Sequence, residues 1–200
     1  MELTDGAQAP RFLGDRLKDK FKTADSARKL SRAEAEGIYA EDAAPVFNFL
    51  FYKLGDKYAA EDLTSEVFIK VIEKYGLYNA QKGGLKTWIF AVARNALKDY
   101  FKISRKRAAL SLDTDGLGAL PADGGTEETV MRRIETAELI DALKCLSDRE
   151  RDIISLKYGA GLRNKDIAAQ CGVSEKNAGV ILARAIKKLR KQMEAETYEK

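Results

Sequence analysis

Histidine is absent from this chain of 200 residues. That removes Ser-His and Cys-His nucleophile pairs, imidazole acid–base catalysis and every histidine-containing metal site together. Cysteine is scarce too. Cys145 and Cys171 stand far apart with no Cys-x-x-Cys spacing, so neither a structural zinc site nor a disulfide framework is expected in a reducing compartment. No run of about 18 apolar residues occurs. The opening Met-Glu-Leu-Thr-Asp-Gly lacks the basic start and apolar run of an export signal. A cytoplasmic protein with no membrane segment of its own is the expectation. A large excess of one charge is also missing: 35 Lys+Arg against 31 Asp+Glu leave only +4. Any case for nucleic acid therefore rests on where the basic residues sit, not on their total.

What is present is helical periodicity. From Gly37 onward apolar residues recur at three- and four-residue steps, with no convincing alternating strand pattern, which predicts an all-α protein. Ala60, Leu63, Val67, Val71 and Tyr75 form one such stripe, and Ile89, Ala93, Ala96, Leu97 and Tyr100 the next. After Arg105-Lys106-Arg107 the text turns to "LSLDTDGLGALPADGGTEE", where Gly116, Gly118, Pro121, Gly124 and Gly125 interrupt any helix. Two small helical domains joined by a flexible linker follow. The divisions are an extension over 1–36 of unknown role, a first domain at 37–107, a linker at 108–127, a second domain at 128–193 and a tail at 194–200.

The second domain carries "GLRNKDIAAQCGVSEKNAGVILARAIKKL". Asn164 can cap a short helix, Gly172 can close it in a left-handed conformation, and Ser174 can cap the next. Ile167, Ala168, Val173, Ala178 and Ile181 supply small and apolar contacts for a close crossing, so the pattern is a helix-turn-helix. At about 100° per residue, Ala178, Leu182, Ala185, Ile186 and Leu189 share one side of the second helix. Lys176, Val180, Ala183, Arg184, Lys187 and Lys191 share the other. A helix in the major groove reads bases with its N-terminal part and holds phosphates with a basic flank. Ser174, Glu175, Lys176, Asn177, Val180 and Ala183 are the candidate readers, because carboxylate, amide and small apolar groups each match a base edge. Arg184, Lys187, Lys188 and Lys191 are the candidate holders. Gly179 costs the helix about 1 kcal/mol relative to alanine and has no account in this scheme beyond allowing a close approach.

The first domain has its own basic stripe. Arg94, Lys98, Lys102 and Arg105 follow one helical face opposite the apolar one, with Asn95 beside them. Before it stands "NAQKGGLKTW", in which Asn79, Lys82, Lys86 and Trp88 offer polar groups, charge and an aromatic surface to unstacked bases. An enzyme acting on nucleic acid is disfavoured: the chain has no Gly-x-x-x-x-Gly-Lys phosphate loop and no persuasive carboxylate cluster. No catalytic residue, metal or cofactor is expected.

Taken together, "AEDLTSEVFIKVIEKY", "KTWIFAVARNALKDYFKISRKR" and, after a variable linker, "LSDRERDIISLKYGAGLRNKDIAAQCGVSEKNAGVILARAIKKLRK" resemble the bacterial extracytoplasmic-function sigma factors of the sigma-70 superfamily. The resemblance spans roughly Ile38 to Met193. It implies a region 2 bundle and a region 4 helix-turn-helix, and a protein that binds core RNA polymerase and directs it to promoter DNA. By the same resemblance Asp62, Ser65, Glu66, Ile69 and Glu73 face the polymerase. The loop and helix from Asn79 to Arg107 melt and capture the −10 element, and the C-terminal helix pair reads the −35 element. An anti-sigma factor is an implied partner. Two departures stand out. Many relatives have Val-Gln in place of Thr64-Ser65, and Thr-Val-Lys-Ser-Arg in place of Asn177 to Ile181, which leaves the polymerase contacts and the −35 sequence open. The competing reading is a stand-alone helix-turn-helix regulator, which would need a dimer to read two half-sites.

Overall fold

The structure, a computed structural model, describes residues 30–110 and 137–198. Most of the extension at 1–36 and most of the linker lie outside the described residues. Every described element is helical. In chain order these are α1 (Arg32–Leu54), α2 (Lys57–Lys74), a 3-10 turn (Tyr75–Leu77) and α3 (Leu85–Leu110). After the undescribed segment come helical residues 137–142, a 3-10 turn (Leu143–Cys145), α4 (Asp148–Ile154), a π turn (Ser155–Gly159), α5 (Asn164–Cys171) and α6 (Glu175–Tyr198).

α1 begins five residues before the expected boundary, for a reason written in the sequence. Ser31 and Glu34 form a reciprocal cap: the Ser31 hydroxyl accepts from the Glu34 N–H at 3.2 Å, while the Glu34 carboxylate accepts from the Ser31 N–H at 2.8 Å. This satisfies two backbone groups that the first turn would otherwise leave open. Ala35 is then buried inside the first turn. α3 likewise runs three residues into the stretch assigned to the linker. Ala108-Ala109-Leu110 favour helix, and the described residues of this segment end with them.

The described residues fall into two compact units, 30–47 with 60–110, and 48–59 with 137–198. In the first, the α2 stripe of Ala60, Leu63, Val67 and Val71 and the α3 stripe of Ile89, Ala93, Ala96 and Leu97 are buried as their spacing predicts. Phe68 and Phe90 fill the space around them, and Tyr39 meets Phe68 edge-on at 4.8 Å. The last member of each stripe leaves the core. Tyr75 lies in the 3-10 turn and Tyr100 is half-buried against Phe101.

In the second unit, Leu143, Leu146, Ile154 and Ala185 form one buried cluster, flanked by Leu182, Ile186 and Leu189 of α6. α4 starts with a capping box in which Ser147 and Glu150 bond each other's backbone N–H groups. Arg151 secures the preceding turn by donating to the Leu143 carbonyl at 3.1 Å. These contacts set the platform from which α5 and α6 project.

Candidate nucleic-acid interface

The helix-turn-helix closes as its residues require. Gly172 takes up φ 64°, ψ 42°, the left-handed conformation glycine adopts without Cβ strain, and its N–H bonds the Ala168 carbonyl. Two residues on, the Ser174 hydroxyl accepts from the Asn177 N–H at 3.2 Å and starts α6. Ile167 and Ala168 of α5 and Ala178 of α6 are buried in the helix pair, and two of these three are alanines, small enough to let backbones approach. Asn164 behaves differently from expectation. The residue preceding α5 is Arg163, which makes no side-chain cap and instead pairs with Asp166 at 3.0 Å. Asn164 is the first helical residue, and its side-chain oxygen is buried without a hydrogen bond.

α6 separates its faces as the wheel predicts. Ile181, Leu182, Ile186 and Leu189 are partly buried, while Glu175, Lys176, Asn177, Val180, Ala183, Arg184, Lys187 and Lys191 are exposed. Ser174 is exposed as well, although its hydroxyl is committed to the cap. Val180, at 39% exposure, is an apolar side chain that the fold leaves uncovered on this face. Among the described residues Lys176, Arg184, Lys187 and Lys191 form no ion pair. Lys188 does: its ammonium sits between both oxygens of Glu150, at 2.8 and 2.9 Å. This pair, together with the Ser147 cap, pulls the Glu150 pKa down to about 2, the Lys188 hydrogen bond being the largest cause. Lys188 is therefore tied to α4, which distinguishes it from the other basic residues of the flank.

In the first unit, α3 points Asn95, Lys98, Lys102 and Arg105 to the exterior, with Arg94 half-buried beside them. The loop ahead of it is shaped by its own polar groups. The Asn79 side chain accepts from the Gln81 N–H at 2.9 Å and the Asn79 carbonyl from the Lys82 N–H at 3.0 Å, an Asx-type turn that exposes Lys82. The Tyr78 hydroxyl donates to the Gly83 carbonyl at 3.2 Å and ties the two ends of the loop together.

Trp88 is half-buried and does not stand alone. Its ring lies 5.5 Å from Tyr78 and 6.4 Å from Tyr75, and the two tyrosines are 5.9 Å apart. This cluster of three aromatic rings, each partly open, borders Lys82 and Lys86 in sequence. The helical period assigns Tyr75 to the core, so spacing alone does not bring Tyr75 and Tyr78 together with Trp88. The signal that could have revealed them is the spacing Tyr-x-x-Tyr at the point where α2 tightens into a 3-10 turn.

The face of α2 expected to meet polymerase exposes Asp62, Glu66 and Glu73, with Ser65 and Ile69 half-buried. Glu66 pairs with Lys70 at 2.7 Å, and the Ser65 hydroxyl returns to the Glu61 carbonyl at 3.1 Å. Thr64 is buried and bonded to the Ala60 carbonyl at 2.6 Å, so it contributes to packing. Among the described residues there is no cluster of metal-ligating side chains. None of the described helices is long and apolar enough to cross a membrane.

A helical bundle with an exposed basic stripe and an aromatic cluster, joined in one chain to a helix-turn-helix, defines an all-helical protein of two parts. Comparison with known proteins gives the family. Two family models match, "Sigma-70 region 2" over residues 38–107 and "Sigma-70, region 4" over residues 136–189. The sigma factor SigM of Bacillus subtilis is 30% identical over 154 residues, 76% of this chain and 91% of SigM. BldN of Streptomyces coelicolor is 29% identical over 158 residues, 78% of this chain, which spans only 60% of BldN. The chain belongs to the ECF RNA polymerase sigma factors. Its fold is similar to that of CnrH, solved in complex with the cytosolic domain of CnrY. There the TM-score is 0.63 at 15% identity, covering 94% of this chain and 99% of the other. It is also similar to the sigma factor RpoE of Bartonella quintana, solved with the anti-sigma factor NepR. That TM-score is 0.60 at 22% identity, covering 82% and 98%.

Proposed function

We propose that this chain binds core RNA polymerase through the exposed face of α2 and directs it to promoters. The α3 surface and its preceding loop capture the −10 element, and α6 reads the −35 element. The observation that carries this reading is the division of α6: its apolar side is consumed by packing, while Glu175, Lys176, Asn177, Val180, Ala183 and Arg184 are exposed on the other. Membership of the family adds weight, since both matched regions are present in one chain.

The chemistry is that of binding and not of bond making. Strand opening needs no catalytic residue: stacking of unpaired bases on aromatic rings and neutralisation of phosphates offset the cost of unpairing. Tyr75, Tyr78 and Trp88 supply the rings, and Lys82, Lys86, Lys98, Lys102 and Arg105 supply the charge. On α6, Arg184, Lys187 and Lys191 hold the backbone, and Lys188 does so only by sharing its ammonium with Glu150. The setting is the cytoplasm, where polymerase and promoter DNA are found. An anti-sigma factor restrains the protein, a reading supported by the complex in which RpoE was solved with the anti-sigma factor NepR.

The test is reconstitution. Purified chain added to core polymerase is expected to form a complex in gel filtration and to start transcription at defined sites, mapped by sequencing transcript ends after overexpression. Absence of a complex with core polymerase would overturn the reading. A dimer that protects a palindromic site without polymerase would point instead to a stand-alone regulator.

A further inference from the structure

Behind the loop that leads into α3 lies a carboxylate that the proposed function does not use. Asp42, on α1, is only 4% exposed, and its Oδ1 is buried with no hydrogen-bond partner. Burying a charged carboxylate without hydrogen bonds is costly, so such a group persists where a nearby opposite charge compensates it. One such charge is present. The Lys86 ammonium lies 3.9 Å from Asp42 Oδ1, and its side chain remains 41% exposed, so one side of the ammonium faces the carboxylate and the rest faces solvent. Lys86 is the second residue of α3, in the same turn as Trp88, and follows Gly83-Gly84 directly. The other charge that acts on Asp42 is Glu41. Burial raises the Asp42 pKa and Lys86 lowers it, with Glu41 adding a smaller upward push.

We propose that Asp42 is a positioning residue, which holds the Lys86 ammonium at the start of α3 so that its solvent-facing side meets a phosphate of the captured strand. A lysine has a compact charge on a four-carbon stem with three donors, so one ammonium can serve a carboxylate and a phosphate together. Left untethered, the stem must be ordered at the moment of binding. With Asp42 behind it, that ordering is complete before DNA arrives. The inference rests on the reading of the α3 surface as a strand-capturing site.

The experiment is a double-mutant cycle in the full chain bound to core polymerase. The probe is a fluorescent fork-junction fragment of a promoter mapped by transcript ends, with the −10 non-template strand unpaired. Asp42→Asn keeps the shape and removes the charge. It is expected to weaken binding about three- to tenfold when Lys86 is present, and to leave it about unchanged when Lys86→Met is already in place. Equal losses in both backgrounds would show a purely structural carboxylate and overturn the inference. Tighter binding by Asp42→Asn would overturn it too, since Asp42 would then be restraining Lys86. So would an Asp42→Asn chain that no longer melts cooperatively, because the carboxylate would be a folding element. Failure of the underlying reading has its own signature, namely that Lys86→Met alone changes neither the affinity nor its salt dependence.

Discussion

At the residue scale, the exposed face of α6 carries side chains of different chemistry, for which different tasks are proposed. Arg184 and Asn177 are both exposed, but one is a charge in the basic flank and the other is an amide in the first turn. Arg184→Ala is expected to weaken binding about equally on all promoter variants. Asn177→Ala is expected to change the ranking of bases in the −35 element, measured by competition with a set of single-base variants. If both substitutions scale every site alike, the division into readers and holders is wrong. Gly179 is a separate case. A Cβ there would meet only the Asn164 Nδ2 at 3.8 Å, an ordinary contact. Packing within the protein does not demand glycine. Gly179→Ala should therefore stabilise the helix by about 1 kcal/mol, read as a higher melting temperature of the free protein; a lower one would show a constraint that the fold does not reveal.

At the scale of elements, the pair Glu150–Lys188 joins the first turn of α4 to the middle of α6. Glu150 is held far below the usual carboxylate range, at about 2. Because its folded pKa lies below the unfolded value, its contribution to stability is present above the unfolded pKa, near 4.3. It is lost as pH falls through the folded one. Melting followed by circular dichroism should show this loss between about pH 4 and pH 2. Glu150→Gln is expected to melt lower than the parent at pH 7 and to converge with it at the acid end; a constant gap across that range would remove Glu150 as its source. Much at this scale was legible. The stripes of α2 and α3, the left-handed Gly172 and the Ser174 cap follow from local spacing, because a cap or an apolar period is set within one or two turns of chain. Asn164 was not legible in this way. Its residue type suits a cap, but the helix starts one residue earlier, with Arg163 at the cap position, and the Asn164 side-chain oxygen is buried without a hydrogen bond.

At the scale of the whole molecule, neither α6 nor the α3 surface carries many polar groups suited to base recognition. Occupation of a promoter is therefore expected to need polymerase and both elements. The free chain should bind duplex DNA weakly, and the holoenzyme should lose most of its activity when either the −10 or the −35 element is scrambled, measured by run-off transcription. Full activity on a template with only one element intact would contradict this. The affinity should also fall steeply with salt, since the candidate contacts are largely to phosphates.

The sequence by itself determined the helical class, the two-part organisation, the helix-turn-helix and the opposed faces of α6, because each depends on periodicity or on residues within a few positions of one another. Only the tertiary structure decided that Lys188 is tied to Glu150, that Tyr75 and Tyr78 gather around Trp88, and that Asp42 stands behind Lys86. Each of these joins residues from different segments: α4 with α6, the turn and loop after α2 with α3, and α1 with α3. Charges and rings come together there through the angle at which helices pack, and no spacing along a single chain encodes that angle.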